Sequence, residues 1–226
     1  MTHIPVHRIV RSKRKTLALL VKPDGSVLVR APLRTSNALI QEFVEKNRGW
    51  IEKHQAKALA ALPASPRSYL PGDMFLYLGT PYPLEILEGN DAREPLRLDD
   101  GAFKLAASHQ GKAALAFERW YREQAKQIVT ARVELLARQY DFSYRKIGIT
   151  AARTRWGSCS ATGSLSFSWR LILAPLAVVD YVVVHELVHT VIHNHSKRFW
   201  SRVGTIMPDY PEHRRWLREN GRGLLI

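Results

Sequence analysis

Apolar and polar residues alternate over much of the first hundred positions, and this pattern predicts strands. Alternate positions are apolar from residue 17 to 21 and again from 27 to 29, on either side of an Asp24-Gly25 turn. Two such segments around an Asp-Gly turn are typical of a β-hairpin. Further short apolar runs predict strands at residues 74–78, 82–87, 96–98 and 103–105.

One helix is predicted within this strand-rich part. Apolar residues recur at near-helical spacing between Leu39 and Ile51, and Ser36 or Asn37 is suited to cap the helix. Residues 63–68 contain two prolines and two serines, which predicts a loop or short linker. Residues 1–112 are therefore predicted to form a β-rich amino-terminal region with one helix.

Helical spacing dominates the second half of the chain. Residues 113–140 contain neither Pro nor Gly and carry an apolar stripe, which predicts one long helix. Strands are predicted at 147–154 and 164–171, around the turn-rich segment 156–163. Pro175 suits the first turn of a further helix whose apolar residues lie on two faces. We therefore expect this helix to be buried on more than one side.

The last helix is predicted to begin at Pro211 and to end before Gly221. Residues 113–226 thus form a second domain with more helix than the first. The whole chain is predicted to be α+β, with the boundary between its two parts after residue 112.

Composition indicates a globular protein with an anionic partner. Of the 226 residues, 46% are hydrophobic and 24% are charged, and these ordinary values exclude collagen-like and disordered classes. The chain has 34 Lys and Arg residues against 20 Asp and Glu residues, a formal net charge of +14. Such an excess favours nucleic acid or another anionic partner. The densest basic run, residues 8–15, is either a solvated face or a binding arm.

Three features of the sequence bear on the cellular location of the protein. Cys159 is the only cysteine, which excludes an internal disulfide and indicates a reducing compartment. The first residues lack the pattern of a secretory signal peptide. The most apolar window, residues 171–187, contains Asp180, His185 and Glu186 and is too polar to cross a bilayer. A soluble cytoplasmic protein without a membrane span is therefore predicted.

The candidate chemistry lies on the helix that follows Pro175, where residues 185–189 read HELVH. His185 and His189 are four residues apart, so both imidazoles project from one face of the helix. That spacing suits one zinc ion, and Glu186 is adjacent to the first ligand, where a carboxylate can act as general base on a zinc-activated water. A surface helix with incidental histidines would match the same motif. The apolar residues around this motif argue against a surface helix, because they indicate burial, and burying unpaired imidazole and carboxylate groups is costly.

A catalytic zinc usually has a third protein ligand, and two downstream histidines are candidates. On a continued helix, His193 would share the face of His189 but lie about 12 Å from His185 along the axis, too far to bind the same ion. His195 can reach the ion only if the helix ends and the chain turns back at once. We therefore predict His195 as the third ligand and a packing or supporting role for His193.

Residues around His195 favour such a turn. Asn194 suits the left-handed conformation that ends a helix, and Ser196 suits the cap of the next helix. The spacing from the first to the third histidine also occurs in the long metzincin motif. Ile192 occupies the glycine position of that motif, so membership in that clan is not predicted.

Four further matches occur in order along the second half of the chain. They are residues 155–160, 168–175, 180–189 and 194–200, which read RWGSCS, SWRLILAP, DYVVVHELVH and NHSKRFW. Together they resemble the YgjP-like metallopeptidase family, which is related to the SprT and WLM zinc proteases. The resemblance covers most of residues 113–226 and, less distinctively, residues 43–51.

This resemblance implies a zincin-like metallopeptidase domain with an HExxH active-site helix. It also implies that His185, His189 and His195 are the zinc ligands and that Glu186 is the catalytic base. It does not carry over a natural substrate.

The turn around Trp156 has two interpretations. In zincin-like folds a strand beside the metal pairs with an extended substrate, and the strands around this turn would supply it. Trp156, Gly157 and Ser158 of the turn would then contact the substrate, with Gly157 allowing close approach of a backbone. Alternatively, Trp156 is a core aromatic residue and Cys159 a small buried one. Tyr210 or His213 is a candidate for stabilising an oxyanion. Alternatively, Tyr210 packs at a turn between two prolines.

The predicted function is a zinc-dependent peptidase that hydrolyses peptide bonds in protein or peptide substrates, including proteins associated with nucleic acid. One alternative is a metal-dependent hydrolase of nucleotides or phosphoesters, which the basic charge would suit. The other is a nucleic-acid-binding protein with a structural zinc. Structural zinc sites usually have four protein ligands and are rich in Cys, whereas only three good ligands are visible here.

Overall fold

The chain folds into two compact units, and each unit contains both strands and helices. The computed structural model describes residues 6–22, 25–60, 68–88 and 94–224, and only the backbone of residues 57–60. The two compact units are Met1–Pro66 and Arg67–Ile226. Both combine sheet and helix, so the α+β prediction is confirmed.

The amino-terminal unit has a three-stranded sheet and two helices. Its sheet has the order β1 (Val6–Ser12), β3 (Val27–Pro32), β2 (Ala18–Val21), with β1 parallel and β2 antiparallel to β3. The predicted β2–β3 hairpin is present, although Asp24 of its turn lies outside the described residues. The helices are α1 (Asn37–Lys46) and α2 (Arg48–Ala60).

The core of this unit is built from alternate residues of β3. Val27, Val29 and Ala31 are fully buried, together with apolar residues of α1 and α2. Ser36 caps α1 by accepting a hydrogen bond from Leu39 N at 3.3 Å. The single predicted helix is divided at Asn47, whose side-chain amide donates to Phe43 O at 2.7 Å and so satisfies a carbonyl at the end of α1. The predicted linker at 63–68 lies almost wholly outside the described residues.

The carboxy-terminal unit has two sheets and four helices. One sheet has the order β4 (Met74–Tyr77), β5 (Thr80–Leu87), β7 (Ala102–Ala106), β6 (Leu96–Asp99). The other has the order β8 (Lys146–Thr150), β10 (Ser164–Ser168), β9 (Gly157–Cys159). Short 3-10 turns occur at Ala107–Lys112, Trp169–Leu173 and Gly221–Gly223. The helices are α3 (Ala113–Tyr140), α4 (Leu176–Val188), α5 (Lys197–Ile206) and α6 (Tyr210–Asn220).

The two compact units divide after Pro66, whereas the sequence pattern predicted a division after residue 112. The four-stranded sheet shares its core with α3: the ring of Phe75 stacks on Phe117 at 4.0 Å between centroids. Tyr121 Oη also donates to Leu76 O at 2.6 Å. The change of pattern near residue 112 therefore marks a change from strand to helix and not the end of a core.

Helix α4 is buried on several sides, as its two apolar faces predicted. It packs against α3, α5, α6 and β9. Arg132 of α3 forms a bidentate ion pair with Asp180 of α4, with Nη2 and Oδ2 2.8 Å apart. No helix among the described residues is both long and apolar enough to span a membrane.

The strands of the β8-β10-β9 sheet differ from the prediction in two respects. Residues 157–159 were expected to belong to a turn but form β9, which pairs antiparallel with β10. The predicted strands at 147–154 and 164–171 end earlier, at Thr150 and Ser168. Strand β9 is short and contains Gly157, Ser158 and Cys159, so only its pairing with β10 identifies it as a strand.

Candidate metal centre

Three imidazoles converge at the end of α4. His185 lies in the last turn of α4, His189 directly follows this helix, and His195 lies in the loop before α5. The Nε2 atom of His195 is 3.0 Å from Nε2 of His185 and 3.1 Å from Nε2 of His189. One ring nitrogen from each residue lies within 4.8 Å of the others.

The chain turns towards this site earlier than predicted. Helix α4 ends at Val188, and Ile192 N donates to Val188 O at 2.9 Å in the turn that follows. Asn194 is not among the described residues with positive φ, so the prediction of a left-handed residue there was wrong. Its side-chain oxygen instead accepts from Ser196 N at 3.2 Å, and this bond orders the loop that carries His195.

The hydrogen-bonding capacity of the three rings fits a cation. His189 Nδ1 donates to Ile192 O at 3.0 Å, which leaves its Nε2 as a bare acceptor. A single proton on His195 Nε2 cannot make two linear bonds to its two neighbours. A cation between the rings would satisfy all three lone pairs. Nitrogens bound about 2.0–2.1 Å from a tetrahedral zinc lie about 3.3–3.4 Å apart, close to the separations found here.

An apolar residue that the sequence pattern did not single out lies against all three rings. Phe199 of α5 is fully buried, and its ring centroid is 4.4 Å from that of His189 and 4.9 Å from those of His185 and His195. Trp200 stacks on His195 at 5.6 Å. The adjacent aromatic residues Phe199 and Trp200, four and five positions after His195, were the sequence signal that could have predicted this packing.

Burial lowers the pKa of the histidines that α4 carries. The pKa of His185 falls to about 3, mainly through burial and further through the neighbouring His189 and His195. The pKa of His189 is also lowered, mainly by burial, although its bond to the Ile192 carbonyl acts in the opposite direction. Both rings therefore remain neutral near pH 7, which is the form that binds a metal.

Glu186 is the buried carboxylate of the site. It is 5% exposed, and burial raises its pKa to about 7, with partial compensation by the positive charge of Arg155. Strand β9 passes so close that a Cβ atom at Gly157 would lie 2.6 Å from Cγ and Oε1 of Glu186. Glycine at 157 therefore allows the strand to pack directly on this carboxylate.

The rings and the carboxylate share one open cavity of about 390 Å³ with the β9 strand. Gly157 and Ser158 line the cavity, as do Cys159 and His193. The lining residues are Gly157, Ser158, Cys159, Ala161, His185, Glu186, His189, His193 and His195. Among described residues, only β10 pairs with β9, so its other edge is free.

Two residues predicted at the substrate site do not line this cavity. The ring of Trp156 lies against Gly221, where a Cβ atom would be 2.8 Å from Trp156 Cζ2. Tyr210 stacks on Trp200 at 5.4 Å and does not line the cavity. Both are partly buried packing residues in the core of this unit.

A comparison with family models gives one match for the chain. Residues 15–220 match the model described as the YgjP-like metallopeptidase domain. No curated protein and no solved structure gave a significant match.

Proposed function

The chain belongs to the YgjP-like metallopeptidase family, and we propose that it is a zinc-dependent peptidase with a zincin-like active site. The observation that carries this proposal is the convergence of three imidazoles beside one buried carboxylate. This combination is the donor set of a catalytic zinc site that keeps one position open for substrate.

In this proposal His185, His189 and His195 hold the metal. Neutral imidazole nitrogens are preferred zinc ligands, and the absence of acidic ligands in the triad disfavours calcium or magnesium. A bound zinc supplies Lewis acidity, which polarises a carbonyl group and makes water a better nucleophile at neutral pH. His189 is held in the required tautomer by the Ile192 carbonyl.

Glu186 is the proposed general base. It lines the same cavity as the three histidines, on the helix that carries His185. Its carboxylate takes a proton from the attacking water and returns it to the amine that leaves when the peptide bond breaks. Burial excludes competing solvent and, since Gly157 lies against the carboxylate, restricts its position.

An extended peptide is proposed to pair with the free edge of β9. This edge lines the cavity beside the histidines, and backbone pairing needs no particular side chain on the substrate. Gly157 and Ser158 are the proposed contacts, whereas Trp156 and Tyr210 support the site through packing. The substrates are proteins or peptides, and the net charge of +14 makes proteins associated with nucleic acid the favoured group.

The test compares zinc content and casein cleavage in the wild type, Glu186→Gln and Glu134→Gln. Glu134 is an exposed carboxylate on α3 and serves as the matched control. Glu186→Gln is expected to retain zinc and lose at least about 100-fold in cleavage rate, the lower range for loss of an acid–base group. A Glu186→Gln protein with full activity would remove this residue from the mechanism.

The basic charge supports a second candidate, hydrolysis of nucleotides or phosphoesters at the same centre. The zinc-loaded protein should be screened against both substrate classes. Cleavage of phosphoesters without cleavage of peptides would favour this second function. A purely structural zinc is disfavoured because only three donors converge among the described residues.

A further inference from the structure

A groove far from the histidines lies between helix α3 and strand β8. It has a volume of about 480 Å³, and its walls carry Arg119, Arg122 and Lys126 from α3 and Ile147 and Ile149 from β8. Spacings of three and four residues place the three cations on one face of α3. We call this cavity the α3–β8 groove.

The positive charge of the groove is largely unpaired. Arg119 and Lys126 are exposed, and neither forms an ion pair with a residue that the structure describes. Arg122 pairs with Glu118 at 2.9 Å, but both side chains are about two-fifths exposed, so water screens this pair. Glu123 is the one acidic residue that lines the groove among the described residues.

A buried guanidinium extends this positive region past the end of β8. Arg170 is 8% exposed, donates from Nη1 to Ala151 O at 3.1 Å, and has no described partner for its Nε. Burial lowers the pKa of Arg170. The nearby charge of Arg153 lowers it further, the carboxylate of Glu118 acts in the opposite direction, and the charge of Arg122 again lowers it. Positive charge is thus in excess where β8 ends, with Arg170, Arg153 and Arg122 opposed by Glu118, and an added anion would offset this excess.

The chemistry of the groove matches a phosphate chain. Guanidinium groups bind phosphate oxygens in bidentate fashion, and lysine adds a compact charge. Lys126 lies seven residues after Arg119, about 10 Å along the helix, which is close to the axial rise of three nucleotide steps on one duplex strand. The groove lining contains no aromatic side chain on which bases would stack.

We propose that the α3–β8 groove binds the sugar-phosphate backbone of a nucleic acid without reading its base sequence. The site is separate from the histidine cluster: β8 and β9 are the two outer strands of one sheet, with β10 between them. Binding here does not require the proposed peptidase chemistry. An acidic peptide is the less favoured occupant. Uncharged backbone amide groups lie between its charges, and this groove offers few hydrogen-bonding partners for them.

The test measures binding of fluorescent DNA to the full chain across a range of salt concentrations. A mixed-sequence duplex and a single strand of equal length are compared for the wild type and the triple variant Arg119→Gln, Arg122→Gln, Lys126→Gln. The control variant, Arg215→Gln, Arg218→Gln, Arg222→Gln, removes the same charge from exposed positions at and just after α6.

The groove variant is expected to bind at least about 10-fold more weakly at moderate salt. The slope of log K against log salt should become shallower by about 2.7 for duplex or about 2 for single-stranded DNA, since three phosphate contacts are lost. The probe that the wild type binds more tightly, and whose binding the groove variant weakens more, identifies the form of nucleic acid. The control variant should keep most of the wild-type affinity and slope.

Three outcomes would overturn the assignment. They are absence of DNA binding by the wild type, equal weakening in the groove and control variants, and competition by poly-glutamate as effective as that by unlabelled DNA. Thermal unfolding of both variants tests that they fold. Cleavage of a short uncharged peptide should be the same in the groove variant and the wild type, so a failure of the peptidase proposal would be seen separately.

Discussion

The two outer strands of the β8-β10-β9 sheet border regions with opposite physical requirements. Beside β9, a buried carboxylate lies next to three converging imidazole rings, two half-buried and one exposed, with Gly157 packed directly on Glu186. Beside β8, Arg119 and Lys126 are exposed to solvent and Arg122 is partly exposed, and their spacing along α3 keeps the three charges apart. The first arrangement depends on positions within fractions of an ångström, whereas the second depends on charge and tolerates small displacements.

The largest expected effect comes from removing one ring of the triad. His195→Ala should weaken zinc affinity by more than about 100-fold, beyond the loss typical of an outer-shell partner. His193→Ala is the matched control, because this histidine lines the same cavity but lies outside the triad. Competition with a chromophoric chelator measures both affinities. Equal losses in the two variants would show that proximity to the cavity, and not the triad, governs binding.

One added methyl group on each outer strand compares the two regions directly. A Cβ atom at Gly157 would lie 2.6 Å from Glu186, whereas one at Gly148 of β8 would make an ordinary contact of 3.7 Å with Ser166 Oγ. Gly157→Ala should therefore reduce cleavage about 100-fold and destabilise the fold by about 1–3 kcal/mol, while Gly148→Ala changes cleavage less than about twofold. Steady-state kinetics and chemical unfolding measure these effects.

Steric collision can be separated from substrate contact by adding a second substitution. Glu186→Ala in the Gly157→Ala background removes the colliding carboxylate, so the lost stability should return. If stability does not recover, the effect of the methyl group does not come from the contact with Glu186.

The burial of Glu186 should make the metal-free protein sensitive to pH. The pKa of this carboxyl rises from 4.5 to about 7 on folding, so its contribution to stability is present below pH 4.5 and is lost as the pH rises through 7. Glu186→Gln should therefore unfold at nearly the wild-type temperature near pH 4.5 and at a higher temperature at pH 8. Thermal unfolding after chelation measures this difference, and a constant offset at all pH values would contradict it.

The smallest effect is expected beside β8. Replacing Arg119, Arg122 and Lys126 by Gln should change the free energy of unfolding by less than about 1 kcal/mol, because exposed ion pairs contribute little. Chemical unfolding of the groove variant and the wild type tests this expectation. A loss of several kcal/mol would mean that these cations are structural, and the contrast between the two outer strands would disappear.

Local pattern was sufficient where the relevant contacts are close in sequence. Helix α3 begins and ends at the predicted residues 113 and 140, since its apolar stripe repeats with helical spacing. The convergence of the triad was expected from the four-residue spacing of His185 and His189 and the need for a turn before His195. The residue that makes the turn was misassigned, because the helix ends at Val188.

The sequence by itself determined the family, the α+β class, the helix that carries His185 and Glu186, and the order of the chemical groups along the chain. Only the tertiary structure decided that Gly157 lies on Glu186, that Phe199 underlies the three rings, and that the four-stranded sheet shares a core with α3. The physical reason is the separation along the chain of the residues that make each contact. Periodicity records contacts between residues three or four positions apart, whereas these contacts join distant segments that meet only when the core packs.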